Sequence, residues 1–182
     1  DILGWTSIPY GVVSLTERHG DVSATPGAYD HMIADVAEHV EKFEETHGIA
    51  ELIQKGRVQM LGTSGTVTTL AGVHFGLKRY NRRRVDGSWL KTSKMIEICE
   101  RLARSDYEAR SREPCIGEER ADLVVSGCAI VLAMYNAWPV RKIRVADRGV
   151  REGLLLGLMK DADSEMENLD TAAAQAGTDK VV

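Results

Sequence analysis

Long apolar runs are missing from this chain. The longest, Leu123 to Tyr135, is broken by Ser126 and Gly127 and falls far short of a membrane-spanning helix. No basic start followed by an apolar stretch opens the sequence, so no secretory signal is read. Cysteine is scarce and wrongly spaced for a framework: Cys99, Cys115 and Cys128 are an odd number without a CxxC pair. That argues against disulfides and zinc and predicts reduced thiols in a cytoplasmic protein. An excess of positive charge is also absent. Lys and Arg total 23 against 27 Asp and Glu, a formal net charge of −4. A surface built throughout to hold nucleic acid is thereby disfavoured, although a local basic patch is not.

What remains is enough for one ordinary domain. The 182 residues are 43% hydrophobic and 27% charged, so a sizeable core can be buried. The sequence starts at Asp1 and runs directly into DILGWTSIPYGVVSL, which reads like the inside of a fold. A piece of a longer protein is the expectation.

The β-favouring residues between Trp5 and Glu17 predict two short strands around Pro9 and Gly11. After a turn at HGDVSATPG, Tyr29, Met32, Ile33, Val36, Val40 and Phe43 recur at steps of three and four, one face of a helix that Gly48 would stop. A further turn or two is expected over Ile49 to Lys55. Arg57 to Leu61 reads as a strand, the turn Gly62-Thr63-Ser64-Gly65-Thr66 follows at once, and Val67, Leu70, Ala71 and His74 mark the next helix. VDGSWL returns as a turn or short strand. Thr92 or Ser93 would cap a helix with Met95, Ile96, Cys99 and Leu102 on one face, and a polar helix follows over Asp106 to Arg112. Glu118 to Tyr135 predicts a helix buried on most sides. Lys142 to Ala146 is a last strand, turned by Asp147-Arg148-Gly149 into a helix through Leu158. Two strand–glycine turn–helix units imply an α/β fold. The stretch from 161 to 182 is read as an acidic, flexible tail, beyond a domain covering 1 to 160.

The glycine turn carries the strongest chemical signal. Gly62 and Gly65 allow a ligand close to the backbone, and the helix that begins there offers unpaired N–H groups and a partial positive charge. Thr63, Ser64, Thr66 and Thr68 add hydroxyls. A phosphate oxygen suits such donors, and a tight, capped strand-to-helix connection explains the glycines equally well. No lysine follows Gly65, so this is not a Walker A loop. A nucleophile elbow would need glycine where Thr66 stands, and nothing in the sequence places His74 or Asp147 beside Ser64. Lys78, Arg79, Arg82, Arg83 and Arg84 form a basic run that either steers a polyanion or caps a solvated helix end. Arg120 with Asp122, and Arg148 and Arg151 with Glu152, read more readily as interior locks. His31, His39 and His47 lie eight residues apart and make a poor metal site.

Together, SIPYGVVSLTE, LGTSGTVTTLAG, EERADLVVSGCAIVL and IRVADRGVREGLLLGL resemble the Ppx/GppA phosphatases, the exopolyphosphatases and guanosine pentaphosphate phosphohydrolases, from about residue 6 to residue 160. The resemblance implies a bacterial enzyme with the actin-like, ribonuclease H-like fold: a mixed sheet with helices on both faces, in the second of two domains that face a phosphate cleft. It implies hydrolysis of the terminal phosphoanhydride of polyphosphate or guanosine pentaphosphate, with magnesium. Gly62, Thr63, Ser64, Gly65 and Thr66 would line the cleft, with Arg148 a weaker candidate on the same wall. A DIGGGSTE-type loop and the domain supplying the catalytic carboxylate are not in this sequence, so no catalytic residue and no metal ligand is assigned. The missing amino-terminal domain is an implied partner. Without it, strands at Ile8 and Val58 would have open edges, favouring self-association or a homodimer. The rival reading is a non-catalytic polyanion- or alarmone-binding module using Arg82, Arg83 and Arg84. Neither membrane nor specific nucleic acid is an expected partner.

Overall fold

The computed structural model describes residues 2–20, 22 and 25–178, with side chains to residue 167. Two compact units divide it, Asp1–Asp147 and Arg148–Val182.

The first unit opens without regular structure over residues 2–10 and enters helix α1, Val12–His19, at Gly11. Two strands were expected here. The Gly11 amide donates to Ser14 Oγ at 2.9 Å, which fixes a helical start. Leu15 is fully buried, and Val12, Leu15, Thr16 and His19, all at least partly buried, fall at the helical steps i, i+3, i+4 and i+7. Burial of that stripe overrides the strand preference of its valines and threonine. The proposed strand at Ile8 is therefore absent.

Helix α2, Ala28–His47, buries Met32, Val36 and Val40, and ends at Gly48 in the left-handed region (φ 59°). Helix α3, Ile49–Gln54, follows directly. Its first amides, Ile49 and Ala50, donate to the Glu44 carboxylate at 2.9 and 3.0 Å. The same carboxylate accepts Trp138 Nε1 at 2.7 Å. The expected strand at 57–61 shrinks to β1, Leu61–Gly62, although Met60 O still accepts the Arg144 amide at 2.9 Å.

Helix α4, Gly65–His74, follows the glycine turn. Next come α5, Arg82–Val85, strand β2, Trp89–Lys91, and α6, Thr92–Arg104. The α6 cap stands at Lys91; Thr92 instead donates its hydroxyl to Val140 O at 2.6 Å, tying the helix start to the segment that precedes Lys142. Its buried face is Met95, Ile98, Cys99 and Leu102, with Ile98 in the place expected for Ile96. Helix α7, Tyr107–Ser111, is polar as expected, yet it hides Arg110, whose Nε donates to Ala121 O at 2.8 Å. The long helix expected from Glu118 is two pieces, a 3-10 turn at Glu118–Arg120 and α8, Leu123–Ala137. Strand β3, Lys142–Val145, completes the sheet.

Strand order is β1-β3-β2. β1 and β3 are parallel, pairing Leu61 with Arg144, and β2 and β3 are antiparallel, pairing Trp89 with Arg144 and Leu90 with Ile143. The sheet is mixed, as expected. Helices were expected on both faces, but the core cluster forms on the Leu90–Ile143–Val145 side, which joins Leu70, Met95, Cys99, Val124, Val125 and Cys128, while Trp89, Lys91 and Lys142 on the other face are exposed. A second cluster joins Leu15, Met32, Val36 and Val40 to Ala129, Ala133 and Trp138. Helix α8 contributes to both. The three thiols are buried and free.

The second unit begins at Arg148 and contains α9, Val150–Thr178. Glu152 Oε2 accepts the Gly149 amide at 2.8 Å and so fastens its first turn. Among the described residues no helix is long and apolar enough to cross a membrane.

A Cβ at Gly127 would stand 2.4 Å from Thr66 Oγ1, so Gly127→Ala should cost about 1–3 kcal/mol through overpacking. Urea denaturation measures this, and an unchanged midpoint would show that α8 and α4 separate freely. The Trp138 bond, with help from the Ala50 and Ile49 amides, holds Glu44 below its ordinary carboxylate value. A carboxylate depressed by folding stabilises fully above its unfolded-state value, and the contribution fades as the pH falls through the folded-state one. Glu44→Gln should therefore lower stability at neutral pH and flatten the acid-side decline, read from melting temperatures between about pH 3 and 7.

Candidate functional site

Parallel β1 and β3 both end at the same edge of the sheet, where the ligand crevice of an open α/β sheet lies. The two ends are joined directly, the Ala146 amide donating to Gly62 O at 2.9 Å. Gly62 is required for shape, since a Cβ there would meet Val67 Cγ1 at 2.8 Å. Ser64 caps α4, its Oγ accepting the Val67 amide at 3.3 Å. The first intrahelical bond is Thr68 N–H to Ser64 O, at 3.1 Å. The Gly65 and Thr66 amides precede it and point out of the helix end.

Thr63, Ser64 and Gly65 are exposed, whereas Thr66 is half-buried against α8. A Cβ built on Gly65 meets nothing within 4 Å. Packing thus explains the glycine at 62 and gives no reason for the one at 65. The five turn residues sit together as the sequence predicts.

Around the turn stand groups that sequence reasoning left out or set aside. Asp147, next after Ala146, accepts the Tyr80 hydroxyl at 2.8 Å. Asp86 Oδ1 fixes the Asp147 amide at 3.0 Å. Arg82 reaches Asp147 through its carbonyl and, at 3.4 Å, its carboxylate. The Tyr80 hydroxyl is pushed up to about 12, first by partial burial and then by its bond to Asp147, so it stays protonated as a donor. Arg120 extends from the 3-10 turn to Thr69 Oγ1 on α4 at 3.3 Å. The charged pairs in EERAD and VADRG were the available signals, but their reach across the fold is tertiary information.

The basic run divides. Arg82 is committed to Asp147, Arg84 lies over the Phe75 ring at 5.8 Å, and Arg83 is exposed. Arg148 is exposed at the start of the second unit. Ser64 opens α4 and His74 closes it, about 15 Å apart on a ten-residue helix; the serine-hydrolase arrangement is not formed. Among the described residues no three His, Cys, Asp or Glu side chains converge on a metal-sized site.

The same architecture occurs in solved proteins. A crystal structure of the Aquifex aeolicus Ppx/GppA phosphatase, type II variant, superposes with a TM-score of 0.71 at 24% identity, covering 84% of this chain and 48% of that one. An exopolyphosphatase-like protein matches at 0.71 with 25% identity, over 86% and 51% of the two chains. An exopolyphosphatase from Cytophaga hutchinsonii matches at 0.66 with 19% identity, over 88% and 51%. The chain therefore spans about half the length of the solved structures it matches. No curated protein matches it. The family model for the Ppx/GppA phosphatase family covers residues 2–162. With its glycine turn at the ends of the parallel strands, the chain belongs to the Ppx/GppA phosphatase family.

Proposed function

We propose that this chain forms one wall of a phosphate cleft, in an enzyme that removes the terminal phosphate from polyphosphate or guanosine pentaphosphate. The observation that carries this reading is the empty space at Gly65, beside outward-facing amides at the start of α4. A glycine that packing does not require, at a helix end suited to anions, is explained by a ligand approaching the backbone. The finer fold assignment, an actin-like domain of the ribonuclease H type, belongs to the same proposal. It is supported by the mixed sheet and by the structural likeness to Ppx/GppA phosphatases.

The Gly65 and Thr66 amides and the exposed Thr63 and Ser64 hydroxyls would bind phosphate oxygens, whereas the Thr66 hydroxyl, expected to join them, is turned against Gly127 of α8. Tyr80 and Arg82 hold Asp147, which fixes the end of β3 beside the turn. Arg148 on the second unit is proposed as a further phosphate contact in the intact enzyme. Phosphoanhydride cleavage also needs an aligned water and charge neutralisation. Among the described residues no carboxylate cage for magnesium is formed, and Asp147 is taken up by Tyr80 and Arg82. The catalytic carboxylate and the metal are accordingly proposed to come with an amino-terminal domain and the substrate phosphates. Cytoplasmic location in a bacterium is part of the same proposal.

Phosphate release from long-chain polyphosphate and magnesium should be absent for this chain alone and appear when the amino-terminal half is supplied. Turnover by the repurified chain alone would place the catalytic base within these residues. Gly65→Ala should leave the melting temperature unchanged, because its Cβ points into open space. In the intact enzyme it should reduce turnover on the order of tenfold or more by displacing the phosphate. Full activity in that variant would remove the turn from the site.

A further inference from the structure

The cations of this acidic protein are unevenly paired. Arg18 with Asp35, Lys42 with Glu38, Lys55 with Glu51, Lys94 with Glu97 and Arg101 with Glu113 are ion pairs. Arg57, Lys91, Arg141, Lys142 and Arg144 are different. Among the described residues, none of these five has a carboxylate within 4 Å. They gather at one place. A cavity of about 850 Å³ is lined by Arg57, Arg141 and Lys142 together with Gln54, Gln59 and Trp89. An adjoining hollow of about 310 Å³ shares Arg141 and adds Lys91. Among the described residues no acidic side chain lines either.

The register explains the clustering. Lys142 pairs with Lys91, and Arg144 with Trp89, across the antiparallel strands. Their side chains therefore share the sheet face opposite buried Leu90 and Ile143. Like charges side by side across a ladder cost stability. Trp89 offsets part of that cost, with Lys142 Nζ 4.1 Å and Arg144 Cζ 5.2 Å from its ring centroid. The aromatic ring holds the cations in place without neutralising them.

Residues 57–59 and 139–142 precede or begin the parallel strands, whereas the glycine turn follows them. The cavity is consequently at the opposite end of the sheet, about 13 Å away for a four-residue strand.

We propose that this cavity is a second anion site that takes a linear oligophosphate independently of the glycine turn. The Trp89 ring is already occupied by cations, which favours an extended multiply charged chain over a ligand that stacks a base. Several unpaired cations spread across two joined hollows suit a chain better than one phosphate. The choice of a phosphate chain over other polyanions rests on the function proposed above; the anion site itself does not.

Trp89 is also the reporter. Titrating inorganic tripolyphosphate into the chain at constant ionic strength should give a saturable change in tryptophan emission. The change should disappear in Trp89→Phe and survive in Gly65→Ala. In R57A/R141A/K142A, which alters exposed side chains alone, the dissociation constant should rise about tenfold or more, while the melting temperature stays at the wild-type value. No saturable change, or one that the triple variant retains, would overturn the proposal. Equal displacement by sulfate at matched ionic strength would reduce it to general screening and overturn it as well. An RNA oligonucleotide binding as tightly as a phosphate chain of equal charge would overturn the ligand assignment. Because this binding is read without turnover, it fails or succeeds separately from phosphate release by the intact enzyme.

Discussion

The close approach of α8 to its neighbours is the constraint on which this fold depends. One side of the helix gives Val124, Val125 and Cys128 to the sheet core, and the other gives Ala129 and Ala133 to α2. Small residues make both contacts short. At Gly127 the backbone comes so near Thr66 that even a methyl group has no room. Ser126 is buried there too, and its hydroxyl bonds Thr16 on α1 at 2.6 Å. The buried helix therefore positions the base of the glycine turn and the first helix together. Loss of this packing would move the candidate site without touching any group that faces a ligand.

Much of this was legible in the sequence where one element explains itself. The apolar stripe of α2, the stop at Gly48, the buried run of α8 and the strand–turn–helix at 61–74 all follow from local periodicity and glycine placement. Val12 to His19 misled because β-branched residues sit on a helical stripe whose partner, α8, is more than a hundred residues away. Arg57 to Met60 misled for the opposite reason. Their composition suits a strand, but Met60 O takes a single bond from β3 and regular pairing begins at Leu61.

The site was readable to the same depth. Glycines and hydroxyls at 62–66 marked the turn, because that chemistry is contiguous. Tyr80, Asp86 and Asp147 are bonded together beside it from three separate segments, and Arg120 reaches Thr69 on α4 from a fourth; these bonds exist only after folding. Arg110 shows the limit most plainly. In sequence it is one arginine in a polar helix, and in the structure it is the largest fully buried side chain among the described residues. Its guanidinium serves the carbonyls of Ser105 and Ala121, so it fastens α7 to the start of α8 as a multi-donor clamp.

β1 has only two residues, and its sole partner among the described strands is β3. Its other side consists of backbone donors and acceptors, with Leu61 beside them 54% exposed. Backbone groups are chemically the same in every polypeptide, so this margin carries little information about which strand should join it, or in what alignment. A strand that paired there would have to be selected by its side chains and by the packing around it, because the backbone margin alone cannot tell one strand from another.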